Sequence, residues 1–302
     1  MSDLPLLYKD RRKEGETILR QAQLVQLHLL YVLDAICKKY NLRYFLCGGT
    51  LLGAIRHHGF IPWDDDLDVT LPEEDYKKFL KIAPQELPQD VTLHDMKKMS
   101  HVPSGGGYTK LRDVYSTYYE ENQWFRTEDP MGIFLDVFAL KPCPRLPKFL
   151  LKFLIDCLKF SDRRYHCKLD CCSRGLPQAI LGSWIVLFLD LFRKTIRFFL
   201  KICCCIIPGQ PRYWYHDFGL AYGKILMPTE ILFPIDRKAL FEDGEFPVPR
   251  DPDALLRIQY GDYMQIPPED KRPRHAHLIL PFQAQRAGLL HYPEADRPVE
   301  HE

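Results

Sequence analysis

The chain has 302 residues, of which 46% are hydrophobic and 13% aromatic, and its formal net charge is +1. This composition excludes a disordered chain, and the near-neutral balance speaks against a dedicated nucleic-acid binder, which is usually basic. The opening MSDLPLLYKDRRKEGE carries charges throughout and lacks an apolar stretch, so no secretory signal is expected and the ten cysteines are expected as reduced thiols of a cytoplasmic protein.

In chain order, residues 17–40 place Leu19, Ala22, Val25, Leu29, Leu33 and Ile36 at helical spacing, which predicts a helix packed on a core. Residues 43–47 read as a short buried strand bounded by Gly48. The turn Gly48-Gly49-Thr50 follows, and residues 51–56 then read as helical. A glycine turn between a strand and a helix N-terminus lets the backbone approach a phosphate, although a plain tight turn fits the same residues. No Gly-Lys-Ser/Thr follows, so it is not a Walker A loop.

Pro62-Trp63 leads into Asp64, Asp65, Asp66, Leu67 and Asp68. From Asp66 the polar and apolar residues alternate, which predicts a strand with Asp66 and Asp68 on one face. Two carboxylates so placed suit Mg²⁺ or Mn²⁺ shared with substrate phosphates. An EF-hand is disfavoured, because Val69 stands where the loop needs glycine. A solvated acidic loop is disfavoured by the apolar neighbours Ile61, Trp63, Leu67, Val69 and Leu71.

Downstream, an amphipathic helix is predicted over residues 73–83 and an edge strand over 91–95. A glycine-rich loop is predicted over 104–107. A strand over 108–114 presents Lys110 and Arg112 on one face, either for a phosphate or to pair with the acidic cluster. Residues 132–140, GIFLDVFAL, form an apolar strand interrupted at Asp136. A lone carboxylate in such a strand needs a partner, so Asp136 is a candidate third metal ligand or general base.

Residues 145–206 differ from the rest. They hold twelve basic and four acidic residues, a net of +8, and are strongly apolar between the charges. The longest uncharged run, 175–189, is shorter than the ~20 residues a spanning helix needs. An interfacial membrane element and a helical insertion packed on the main domain both fit. Seven of the ten cysteines fall here. His166-Cys167 and Cys171-Cys172 lack the paired spacing of a zinc site, and Cys203 to Cys205 read as acylation sites or as small apolar filler. Further on, residues 222–226 contribute Lys224, residues 241–249 form a hairpin or turn, and residues 252–260 form a helix ending at Gly261. The chain from 283 onward is predicted to be a loose tail.

The segment GGTLLGAIRHHGFIPWDDDLDV closely resembles the defining motif of the LicD family, which includes fukutin and fukutin-related protein. The likeness continues through YTKLRDVYST, GIFLDVFAL and FEDGEFPVPRDPDALLRIQYGDYMQIPPEDKR, covering most of residues 15–142 and 215–275. It implies an α+β fold of the nucleotidyltransferase, DNA polymerase beta-like kind. A catalytic domain is then expected from residues 1–142 and 207–282, with a variable helical insertion over 143–206. In such folds a Gly-Gly turn precedes an Asp-x-Asp strand, and a third carboxylate follows on a later strand. Gly48, Gly49, Asp66, Asp68 and Asp136 match that order. The resemblance further implies transfer of phosphocholine, or another phospho-alcohol, from a CDP-activated donor to a sugar hydroxyl of a glycan, on the inner face of the membrane if the glycan is lipid-linked. Mg²⁺ on Asp66, Asp68 and Asp136 is the implied cofactor. Asp64 and Asp65 are held as further catalytic or substrate-facing groups, Thr50 and Trp63 as substrate contacts, and Arg56, Lys110, Arg112 and Lys224 as phosphate clamps. The alternatives are a nucleotidyltransferase that makes the CDP-alcohol and a catalytically silent membrane scaffold.

Overall fold

The structure is a computed structural model that describes residues 10–95, 108–120, 131–158, 176–216, 226–272 and 274–284. Lys224, the glycine-rich loop 104–107, the residues His166 to Cys172 and the tail from 285 onward lie outside the described residues. The architecture is α+β, as expected: a mixed sheet with helices packed against it.

The first long helix, α1 (Ile18–Lys39), begins where Thr17 caps it, the hydroxyl accepting the amide of Arg20 at 3.1 Å. β1 (Phe45–Leu46) is only two residues long, shorter than the expected strand, because the chain turns into α2 (Gly48–His57) at Gly48 with φ +57°. A left-handed φ costs a Cβ-bearing residue energy and costs glycine none, so the sharp turn sits where the sequence permits it. β2 (Asp68–Pro72) begins two residues later than predicted, leaving residues 64–67 as an extended loop. α3 (Glu73–Glu86), β3 (Val91–Asp95), β4 (Tyr108–Asp113), β5 (Thr117–Glu120) and β6 (Phe134–Pro142) follow.

The main sheet runs β1-β2-β6-β4-β3, with β2 and β6 parallel and β4 antiparallel to β6. The last residues of β6 pair antiparallel with β7 (Tyr213–His216), which pairs in turn with β8 (Met227–Pro228). Between β6 and β7 the chain leaves the sheet to form α4 (148–158) and α5 (Leu176–Ile206). Side chains of α5 are described over 187–189 and 191–206. A short α6 (Thr229–Leu232), the hairpin β9 (Arg237–Phe241) and β10 (Gly244–Val248), α7 (Pro252–Tyr260) and β11 (Ala276–Leu280) complete the chain. α7 is capped by Asp251, with Pro252 in its first turn, and ends at Gly261 (φ +71°) as the sequence predicts.

Leu29, Leu33, Phe45, Leu71, Phe79, Leu135 and Val137 form the centre of the core, each at most 1% exposed. Each such side chain contributes about 1.5–3 kcal/mol by burial. α1 also carries polar residues inward. Gln23 donates to the carbonyl of Asp64 at 3.0 Å and Gln26 to that of Asp65 at 2.7 Å, so the acidic loop is anchored through its backbone to the longest helix outside the insertion. The loop is thus held in part through its backbone carbonyls, independently of its carboxylates.

Candidate active site

The site is assembled by register. Asp68 of β2 lies opposite Asp136 of β6, and Asp136 lies opposite Lys110 of β4. Lys110 in turn faces His94 of β3. Residues in register on adjacent strands point to the same face, with strands about 4.8 Å apart, so these four side chains form one row across the sheet. Lys110 is 1% exposed, and its Nζ stands 3.0 Å and 3.1 Å from the two carboxylate oxygens of Asp136. The same ammonium lies over the Phe134 ring. Burial and the charge of Arg112 push His94 down to about 4, so it ends the row as a neutral ring.

The acidic loop stands beside this row, and its three aspartates are not equivalent. Asp65 accepts the backbone amides of His275 (3.0 Å) and Ala276 (2.8 Å) and the His275 ring Nδ1–H at 2.9 Å. Burial opposes its ionisation, but these bonds prevail and hold its carboxyl below the usual range. Asp64 is buried and its proton affinity is pushed well up, first by desolvation and then by the charge of Asp66, with which it shares a hydrogen bond. Asp66 is pushed up as well, chiefly by burial. A buried carboxyl raised by a neighbouring carboxylate marks a place where negative charge is crowded.

Gly49 lies directly under Asp64. A Cβ built at Gly49 would stand 2.6 Å from Asp64 Oδ2, so only glycine lets that carboxylate rest on the first turn of α2. The Thr50 hydroxyl is buried and accepts the amide of Asp68 at 2.8 Å, fixing where β2 starts. Thr50 is thereby a backbone anchor for the second aspartate. Gly48 supplies the positive φ and Cys47 the N-cap position of α2.

The remaining sequence candidates divide by location. Arg56 donates to the carbonyls of Tyr263 (2.5 Å) and Gln265 (3.4 Å), and so ties α2 to the segment after α7. Arg112 is buried and donates to the carbonyl of Gly132 at 2.8 Å, which ties β4 to the approach to β6. Trp63 is half-buried, with the Arg272 guanidinium 4.1 Å from its ring centroid and His57 at its edge. Asp66 precedes β2 instead of lying on it, so strand parity does not govern its direction. His275 and Arg272, both near the C-terminal end of the described chain, went unrecognised in the sequence. His275 lies 210 residues from Asp65, and its pairing depends on long-range topology.

Asp64, Asp65 and His275 bring ligand-capable atoms within 4.8 Å of one another. His275 is raised to about 9, mainly by its hydrogen bond to Asp65, so without a metal it is an imidazolium at neutral pH and clamps the loop. His275 Nδ1 also lies 3.4 Å from Asp66 Oδ2, so the ring bridges Asp65 and Asp66. Carboxylate oxygens such as those of this loop are hard donors of the kind Mg²⁺ or Mn²⁺ prefers. Asp64 and Asp66, neighbouring carboxyl groups both raised in proton affinity, are the groups whose charge such a cation would relieve.

The clamp has a pH signature. The folded value of His275 lies above the ordinary 6.5, so its contribution to stability is full below about 6.5 and is lost as the pH rises through about 9. His275→Gln is expected to melt below the wild type at neutral pH, with the gap closing above pH 9 in the metal-free protein. A gap that stays constant across that window refutes the clamp.

A family model described as LicD/FKTN/FKRP, nucleotidyltransferase domain, matches residues 41–135, which span the aspartate loop, β2, β3 and β4 and end one residue before Asp136. The chain is thus a phosphotransferase of the LicD type. Over 264 residues it is 31% identical to the lipopolysaccharide cholinephosphotransferase LicD of Haemophilus influenzae, a match spanning 85% of this chain and 96% of that protein. Over 47 residues it is 53% identical to an uncharacterized protein of Rickettsia typhi and 51% to one of Rickettsia prowazekii, in each case over 16% of this chain and 15% or 18% of theirs. The chain belongs to the LicD family.

Proposed function

We propose that this protein transfers phosphocholine from a CDP-activated donor to a sugar hydroxyl of a cell-surface glycan such as lipopolysaccharide, teichoic acid or capsule. The observation that carries the reading is the row Asp68–Asp136–Lys110 beside the acidic loop of Asp64, Asp65 and Asp66, in a chain aligned along nearly the whole length of a lipopolysaccharide cholinephosphotransferase. The parallel β2 and β6, each bearing one carboxylate of the row after a Gly-Gly helix start, support the nucleotidyltransferase arrangement.

Asp66 and Asp68, with Asp136 next in the row, are the residues we assign to a divalent cation. When bound, such a cation neutralises charge on the donor diphosphate and its leaving group. The amides of Gly48 to Thr50 open a ten-residue helix and offer N–H groups to the nucleotide-side phosphate. Lys110 holds Asp136 in the row through its ion pair. Of the carboxylates held as candidate bases, Asp65 has its proton affinity lowered and Asp64 has it raised. Asp65 is engaged by His275 and Ala276, so Asp64, with Asp136 as the alternative, is the group we assign to take the proton from the acceptor hydroxyl when ionised. Trp63 and Arg272 form the wall beside the loop.

A thermal-shift screen with Mg²⁺ and CDP-choline, CDP-ribitol, CDP-glycerol or CDP-ethanolamine tests the donor. CDP-choline is expected to give the largest rise in melting temperature, and a larger rise with another alcohol reassigns the donor. Release of pyrophosphate from CTP and phosphocholine would instead identify an enzyme that makes the CDP-alcohol.

A further inference from the structure

The insertion between β6 and β7 has two apolar sides, and the fold uses one. On α5, Ile196 and Leu200 are buried with Leu151, Ile155 and Leu158 of α4 and with Cys143 and Tyr215 at the sheet edge. At 3.6 residues per turn, the opposite side of α5 carries Phe188, Leu191, Phe198, Phe199 and Ile202. All five are exposed, with Phe188 at 66% and Phe198 at 65%. Two further exposed phenylalanines, Phe149 at 77% and Phe153 at 63%, lie on α4.

Soluble surfaces scatter single apolar residues but rarely align them along several helical turns. The charges here are patterned too. Lys194, Arg197 and Lys201 fall along one border of the α5 face, Lys148 and Lys152 alternate with the α4 phenylalanines, and residues 145–206 as a whole carry +8. No helix among the described residues is long and apolar enough to cross a membrane. An apolar stripe bordered by cations, on a helix that does not span, matches the headgroup boundary of an anionic bilayer: aromatic and aliphatic side chains enter, and lysine and arginine meet phosphate. A second copy of the chain fits less well, because pairing the same face would bring two basic borders together.

We propose that the exposed face of α5, with the phenylalanines of α4, is a membrane-interfacial surface that seats the protein on anionic lipid. This rests on the insertion and not on the donor, so it stands or falls apart from the choline assignment.

Flotation of the full chain with vesicles of phosphatidylglycerol and phosphatidylethanolamine, against vesicles of phosphatidylcholine alone, tests the surface. The wild type is expected to float with the anionic vesicles, to bind the neutral ones far less, and to release in high salt. Phe188→Ser/Leu191→Ser/Phe198→Ser is expected to lose about tenfold in bound fraction with an unchanged circular dichroism spectrum. Lys194→Gln/Arg197→Gln/Lys201→Gln should weaken binding and blunt its salt dependence. The proposal is overturned if the wild type fails to float, if it binds both vesicle types equally, or if the serine variant binds like the wild type. It is equally overturned if the wild type sediments as a dimer without floating and the serine variant as a monomer. The wild-type comparison of the two vesicle types needs no variant to fold.

Discussion

Asp68→Asn lowers turnover by on the order of 10³-fold or more, and Asp66→Asn does the same, while both chains stay folded. A bound divalent ion supplies several kcal/mol of charge stabilisation, and ~4 kcal/mol corresponds to 10³ in rate. Removing a carboxylate from its cradle should forfeit most of that. The fold is expected to survive for identifiable reasons. The contact made to Thr50 at position 68 uses the backbone amide, which asparagine keeps. The loop at 64–65 hangs from Gln23 and Gln26 by its carbonyls. At position 66 the neutral amide also removes a buried charge that its surroundings disfavour, so Asp66→Asn should melt at or above the wild type. The same variants should lose the rise in melting temperature that Mg²⁺ gives the wild type. Full activity in either, with that rise intact, would sink the cation assignment.

Lys110→Met is expected to fail differently. It leaves the partly enclosed Asp136 without its ammonium partner, and breaking a buried pair by removing one member costs about 3–5 kcal/mol. A urea titration should show a loss near that size, together with loss of turnover. Adding Asp136→Asn to Lys110→Met should recover much of the stability, because the unpaired charge is gone, and recover none of the activity. This split separates the pair's structural share from its chemical share. A coupling energy near zero in the double-mutant cycle would mean that the two residues act independently. Methionine keeps the apolar stem that packs near Phe134, so the cycle reads charge and not lost volume.

Much of this arrangement was legible in the sequence where the signal is local. α1 and α7 fall within a residue of their predicted bounds, because periodicity and caps are written in neighbouring residues. α3 runs on to Glu86, past the predicted end at 83, and Pro84 sits inside its last turn. The aspartate cluster and Asp136 stood out because charges beside a core are conspicuous. What stayed hidden depends on register and distance. That Lys110 faces Asp136, and that Arg112 turns to the Gly132 carbonyl instead, follows from the pairing of β4 with β6 and from the path of the chain into β6. The parity argument for Asp66 and Asp68 presumed a strand that starts at 66. The bond from the Asp68 amide to Thr50 fixes the start at 68. His275 carried no local signal, since an isolated histidine after a proline-rich stretch resembles any other.

The way the insertion joins the sheet has a consequence for how such proteins diversify. Pro142 and Trp214 are opposite residues on adjacent antiparallel strands, and the amide of Cys143 still donates to the carbonyl of Tyr213 at 2.8 Å. The chain thus departs and returns across one rung of a ladder, as at the open end of a hairpin. Closing a longer or shorter excursion between two points already side by side costs only about 0.6 kcal/mol per doubling of length. A change in the length of the 143–212 stretch is therefore expected to leave the register of β2, β4 and β6 intact. Where the protein works and what it does there are then separately evolvable properties of one polypeptide.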